Sequence, residues 1–127
     1  MSKKILVVDD EADIIFLIAY RLGASGYQTI TAESGQEALA KVSQEKPDLI
    51  LLDIMMPEMD GYQVLEHLKA DIRTKSIPVI ALSAKSAPEE VERAYASGAT
   101  DFIAKPFSSS DLLKRIAKCL ELKNSLA

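Results

Sequence analysis

Five apolar runs alternate along this chain with segments of helical period, strand first and helix after, and that order constrains the fold more than any other feature. It specifies parallel strands joined by crossover helices, a three-layer α/β sandwich with five strands and five helices. Residues 4–9 form the first run. The segment from about Glu11 to Ser25 follows, with Ile14, Leu17, Ile18 and Leu22 on one helical face and Gly26 as a stop signal. A more polar strand over Tyr27 to Ala32 precedes a helix carrying Ala38, Leu39 and Val42, opened by the capping-box pattern Ser34 and Glu37. The third strand, Leu49 to Asp53, is apolar up to its last residue, as a central parallel strand covered on both faces must be.

The turn-rich MetProGluMetAspGly loop, with Asp60 as N-cap, leads into a helix whose Val64, Leu65 and Leu68 face the sheet. Pro78 opens the fourth strand, Val79 to Leu82. A helix from about Pro88 to Ser97 suits a proline in its first turn and ends at Gly98. The fifth strand, Asp101 to Ala104, is short, and the last helix, from about Ser109 to Leu122, turns Leu112, Leu113, Ile116 and Leu120 inward. All 127 residues are expected to form one domain, with a tail from about residue 123.

Composition narrows the function. With 19 acidic against 15 basic residues the net charge is −4, and no basic run could track a phosphate backbone, so direct nucleic acid binding is not expected. The single cysteine, Cys119, cannot form an internal disulfide and falls among apolar positions of the last helix. MetSerLysLys runs straight into a strand without a signal-peptide apolar region, and no apolar stretch is long enough to span a bilayer; the expected compartment is the cytoplasm.

Charged and hydroxyl side chains sit at the ends of the apolar runs: Asp9 and Asp10 after the first, Asp53 on the third, Ser83 after the fourth, Lys105 after the fifth. Ligands of open α/β sheets bind beyond these carboxyl ends. Taken singly, each has a plain structural role: an Asp pair caps a helix, an Asp starts a turn, a serine caps, a lysine is solvated. As a set at one edge they call for a divalent cation, because like carboxylates brought close repel. Magnesium suits oxygen ligands and phosphate, and no Cys and His cluster favours zinc.

In this order and spacing, LeuValValAspAsp, LeuIleLeuLeuAspIleMetMetPro, IleAlaLeuSerAla and GlyAlaThrAspPheIleAlaLysProPhe resemble the receiver domain of two-component response regulators, over essentially the whole chain. The resemblance implies a flavodoxin-like sheet in the order 2-1-3-4-5. It implies that Asp53 is the phosphoacceptor and that Asp10, Asp53 and the backbone carbonyl of Met55 hold Mg2+, with Asp9 acting largely through a metal-bound water. Lys105 would pair with Asp53 at rest and with a phosphoryl oxygen afterwards, Ser83 would donate to another, and the Lys105–Pro106 peptide would be cis. The implied partners are a sensor histidine kinase or phosphotransfer protein and a downstream effector or output domain. The one histidine, His67, lies on a predicted helix face pointing away from the site.

The resemblance further implies a switch in which Ser83 moves toward the phosphoryl group and Phe102 turns inward. Many members carry tyrosine there, so the outward state of Phe102, which lacks the hydroxyl, is expected to be less favoured. Met55 and Lys85 correspond to positions that tune dephosphorylation. A bulky Met55 should hinder water, so the phosphorylated parent is expected to decay more slowly than a Met55→Asn variant in a phosphate-release assay. Arg93, Asp101, Asp111 and Arg115 resemble charges used for phosphorylation-dependent homodimerisation, although a solvated helix face explains them equally. Two other readings stand beside this one. A phosphorylation-independent interaction module would be expected to lack one of the five site residues, and a flavodoxin-like cofactor binder would need a Ser, Thr and Gly rich turn where this chain has AspAspGluAlaAsp.

Overall fold

The computed structural model describes the backbone of residues 2–126 and the side chains of residues 2–122. Five strands alternate with five helices: β1 (Lys4–Val8), α1 (Ala12–Ala24), β2 (Gln28–Ala32), α2 (Gly35–Glu45), β3 (Leu49–Asp53), α3 (Gly61–Ala70), β4 (Val79–Ser83), α4 (Pro88–Ala96), β5 (Asp101–Ala104) and α5 (Ser109–Leu126). All four strand pairings are parallel, in the order β2-β1-β3-β4-β5. The continuous apolar runs follow from this topology, because alternate residues of each inner strand enter opposite cores. Ile5, Val7, Leu49, Leu51, Ile80 and Leu82 pack with Ile15, Ile18 and Leu22 of α1 and with Leu112, Ile116 and Leu120 of α5. Leu6, Val8, Ile50, Leu52, Val79 and Ala81 pack on the other face, under α2, α3 and α4. β2 lies at an edge, and its more polar sequence matches its partial exposure.

Three helical expectations need correction. Leu17 does not face the core: it is 46% exposed, and Ile15 takes the inner position. The inward stripe of α1 is Ile15, Ile18 and Leu22, and Leu17 precedes Ile18 by about 100° of helical turn. The Ser34 hydroxyl does accept from Glu37 N–H, but the return arm of Glu37 reaches the N–H of Glu33 rather than that of the cap itself. The closed capping box belongs instead to α3, where Asp60 and Gln63 bond reciprocally. Finally, α5 runs on to Leu126 where a tail was expected, since neither glycine nor proline interrupts the chain there. No helix among the described residues is long and apolar enough to cross a membrane.

Candidate phosphoacceptor and metal site

The chain passes from β1 outward to β2 and then returns to β3 on the other side of β1, so the strand order reverses between β1 and β3. The carboxyl ends of those two strands bring Asp9, Asp10 and Asp53 together, with one carboxylate oxygen of each lying within 4.8 Å of the others. Asp9 and Asp53 are buried, whereas Asp10, two residues beyond the strand, is exposed. An all-oxygen, triply acidic set fits a hard cation such as Mg2+ and does not suit a soft one.

Asp9 is fully employed by the protein. Its Oδ1 accepts the N–H of Glu11, 2.9 Å away, and its Oδ2 accepts from Lys105 Nζ at 2.8 Å. Lys105 pairs with Asp53 Oδ1 at 3.5 Å, as expected, but its shorter contact is to Asp9. The cause is geometric: Asp9 lies fully inside the cleft, where an unpaired carboxylate would be costly, so the lysine satisfies it first. Asp53 Oδ1 also accepts the N–H of Met55 at 3.2 Å, and no hydrogen bond reaches its Oδ2 among the described residues. Because every fully buried side-chain polar atom among the described residues has a partner, that second oxygen is the one open to the cleft. Burial, followed by repulsion from Asp9, pushes the Asp53 carboxyl up to about 6, against the opposing pull of Lys105 and the Met55 N–H.

Ser83 and Lys105 close the other side. Backbone pairing of β4 with β5 sets Ser83 opposite Ala104, and Lys105 N–H donates to Ser83 C=O at 2.8 Å. The buried Ser83 Oγ accepts the N–H of Lys85, which fixes its oxygen and leaves its own proton available to donate. The Lys105–Pro106 peptide bond is cis. Met55 is 45% exposed beside Asp53, and Lys85 is exposed. Phe102 lies inward at 8% exposure, in the core under α4.

Of the four charges expected on one interaction face, Asp101, Asp111 and Arg115 form a single ion-paired group and Arg93 lies apart from it. Arg115 pairs with Asp101 at 3.0 Å and with Asp111 at 3.2 Å, and Tyr95 donates its hydroxyl to Asp101. Arg93 instead stacks over the ring of Tyr62, 3.9 Å from its centroid, on the α3 side of α4. Helical spacing explains the split, since Arg93 and Tyr95 are two residues apart and point to different sides. His67 lines a cavity of about 600 Å3 with Val42, Pro47, Leu68 and Ile77, at the amino ends of β3 and β4 and so opposite the carboxylates.

Sequence reasoning missed two parts of the site. The Glu11 N–H that holds Asp9 is a backbone group with no residue-type signature. Gly61 has a signal in AspGly, but its role as close packing against Asp53 appears only in three dimensions: a Cβ there would stand 2.8 Å from Asp53 C=O.

The chain is 43% identical over 120 residues to the alkaline phosphatase synthesis transcriptional regulatory protein PhoP of Bacillus subtilis, covering 94% of this chain and 49% of that protein. It is 41% identical over 116 residues to the phosphate regulon transcriptional regulatory protein PhoB of Escherichia coli, covering 91% and 51%. The chain thus spans about half the length of these curated relatives. Among solved structures it superposes on a CheY-like response regulator receiver domain protein of Methanospirillum hungatei with a TM-score of 0.94 at 29% identity, all of both chains being covered. With chemotaxis protein CheY4 of Vibrio cholerae the TM-score is 0.89 at 33% identity, over 94% of this chain and 99% of that one. Residues 5–117 match the family described as the response regulator receiver domain, and the chain belongs to that family.

Proposed function

We propose that this chain is a magnesium-dependent phosphoacceptor switch, in which Asp53 takes a phosphoryl group from a phosphohistidine of a kinase or phosphotransfer protein. The observation that carries this reading is the Asp53 carboxylate at the strand switch point, with one oxygen open to the cleft and Lys105 Nζ 3.5 Å from the other. Asp10, Asp53 and the Met55 carbonyl would hold Mg2+, and Asp9, both of whose oxygens have protein partners, would act through its water shell. When bound, the ion supplies charge neutralisation for the phosphoryl oxygens.

The protein's own groups do the rest. The open Asp53 oxygen attacks phosphorus in line; the O–P bond forms as the P–N bond to the donor imidazole breaks, and the nitrogen leaves with the electron pair. Lys105 moves from Asp9 toward a phosphoryl oxygen, and the Ser83 hydroxyl donates to another. Ser83 and Phe102 then carry the change toward α4, β5 and α5, where an effector or output domain binds. An unpaired, buried Cys119 suits a reducing compartment, and we place the reaction in the cytoplasm.

The test is incubation with acetyl phosphate and Mg2+ followed by intact mass measurement. The parent gains one phosphoryl group and Asp53→Asn gains none. An unmodified parent, or an equal adduct on the variant, removes Asp53 from this role.

A further inference from the structure

Helix α4 is thinly anchored. Of its residues only Ala94 is buried, and its N-cap, Ala87, makes no side-chain cap bond. A polar clasp holds it on the α3 side. The phenol of Tyr62, itself 4% exposed, donates to Glu90 Oε2 at 2.8 Å. The guanidinium of Arg93, one helical turn on from Glu90, covers the same ring. Burial and the Glu90 carboxylate push the Tyr62 phenol up to about 12, so it remains a donor across the physiological range.

The other end of the clasp rests on the acceptor strand. Tyr62 follows Gly61, whose N–H donates to Ile54 C=O at 2.9 Å. A Cβ on Gly61 would come within 2.5 Å of Ile54 Cα and 2.8 Å of Asp53 C=O, so the first turn of α3 is packed against the end of β3 without slack. We infer that Tyr62 is a positioning residue that couples Asp53 to α4: a shift at the end of β3 passes through Gly61 into the first turn of α3, and through Tyr62 to Glu90 and Arg93. This route is separate from Ser83 and Phe102, and it rests on the phosphoacceptor reading of Asp53. It also gives Arg93 a task inside the molecule, apart from the charges around Arg115.

Hydrogen exchange of the α4 segment, residues 88–96, tests the coupling in the full chain. Wild type, Tyr62→Phe, Arg93→Gln and Arg93→Lys are compared before and after treatment with acetyl phosphate and Mg2+, with the adduct quantified by intact mass. Before treatment, Tyr62→Phe exchanges α4 amides about tenfold faster, the loss of one hydrogen bond to a charged acceptor, while α1 and α5 are unchanged. After treatment at equal adduct, wild type changes its α4 exchange, Tyr62→Phe and Arg93→Gln show less than about a third of that change, and Arg93→Lys recovers most of it. Unaltered α4 exchange in both Tyr62→Phe and Arg93→Gln before treatment overturns the clasp. Faster exchange with the full phosphorylation response leaves Tyr62 a structural residue only and overturns the coupling, as does a wild-type α4 that does not respond. If wild type takes up no phosphate, the acceptor reading fails and the coupling with it, while the untreated comparison still decides whether the clasp holds α4.

Discussion

Asp53 illustrates how one residue is tuned by its neighbours in opposite directions. Burial and Asp9 favour its neutral form, while Lys105 and the Met55 N–H favour the carboxylate, and the first pair wins. The raised value has a sign that can be worked out. Below the unfolded value of 3.8 the carboxyl is protonated in both states and costs nothing; as pH rises toward about 6 the unfolded chain releases its proton more readily, so folding stability falls across that window. In metal-free buffer, Asp53→Asn is therefore expected to be more stable than the parent at pH 7 by about 3 kcal/mol and nearly equal to it at pH 4, read from urea midpoints. A parent that is the more stable of the two at pH 7 contradicts the burial cost. At this scale the candidate residues were legible because each stands at the end of an apolar run, Asp9 and Asp10 sharing the first. Their pairing was not: that Lys105 serves Asp9 before Asp53 depends on depth within the cleft, which no spacing encodes.

The elements were legible where one periodicity governed and ambiguous where phase or capping chemistry decided. β3 and β5 have the expected bounds, because continuous apolar residues flanked by Pro47 or Gly98 leave little freedom. In α1 the dense run Ile14, Ile15, Phe16, Leu17 and Ile18 admits more than one inward stripe, and only the packed sheet selects Ile15 and leaves Phe16 and Leu17 outside. α3 carries the consequence with the most reach, since its N-cap Asp60 and Gly61 close it onto the end of β3. Gly61→Ala places a methyl group against backbone atoms rather than a yielding side chain, and is expected to cost about 3 kcal/mol in chemical denaturation. A loss below about 1 kcal/mol shows that the α3 turn has slack after all.

At the scale of the whole molecule, the proposed Mg2+ site would make stability depend on a ligand. Mg2+ at about a hundred times its dissociation constant is expected to stabilise the fold by about 2.7 kcal/mol, and Asp10→Asn, which touches no core, should lose most of that gain while leaving metal-free stability nearly unchanged. Thermal melts with and without Mg2+ check both; an equal shift in the variant dismisses Asp10 as a ligand. The alternation of apolar runs and helical segments was enough by itself to determine the parallel α/β architecture, because burying both faces of a sheet leaves few alternatives. It also placed the charged and hydroxyl residues at one end of the sheet, since they terminate the runs. Tertiary structure alone decided which carboxylate holds the lysine, which face of α1 stays exposed, and that Arg93 turns to Tyr62 instead of joining Arg115. Those outcomes depend on depth and on angles between elements distant in the chain, and a local pattern carries neither.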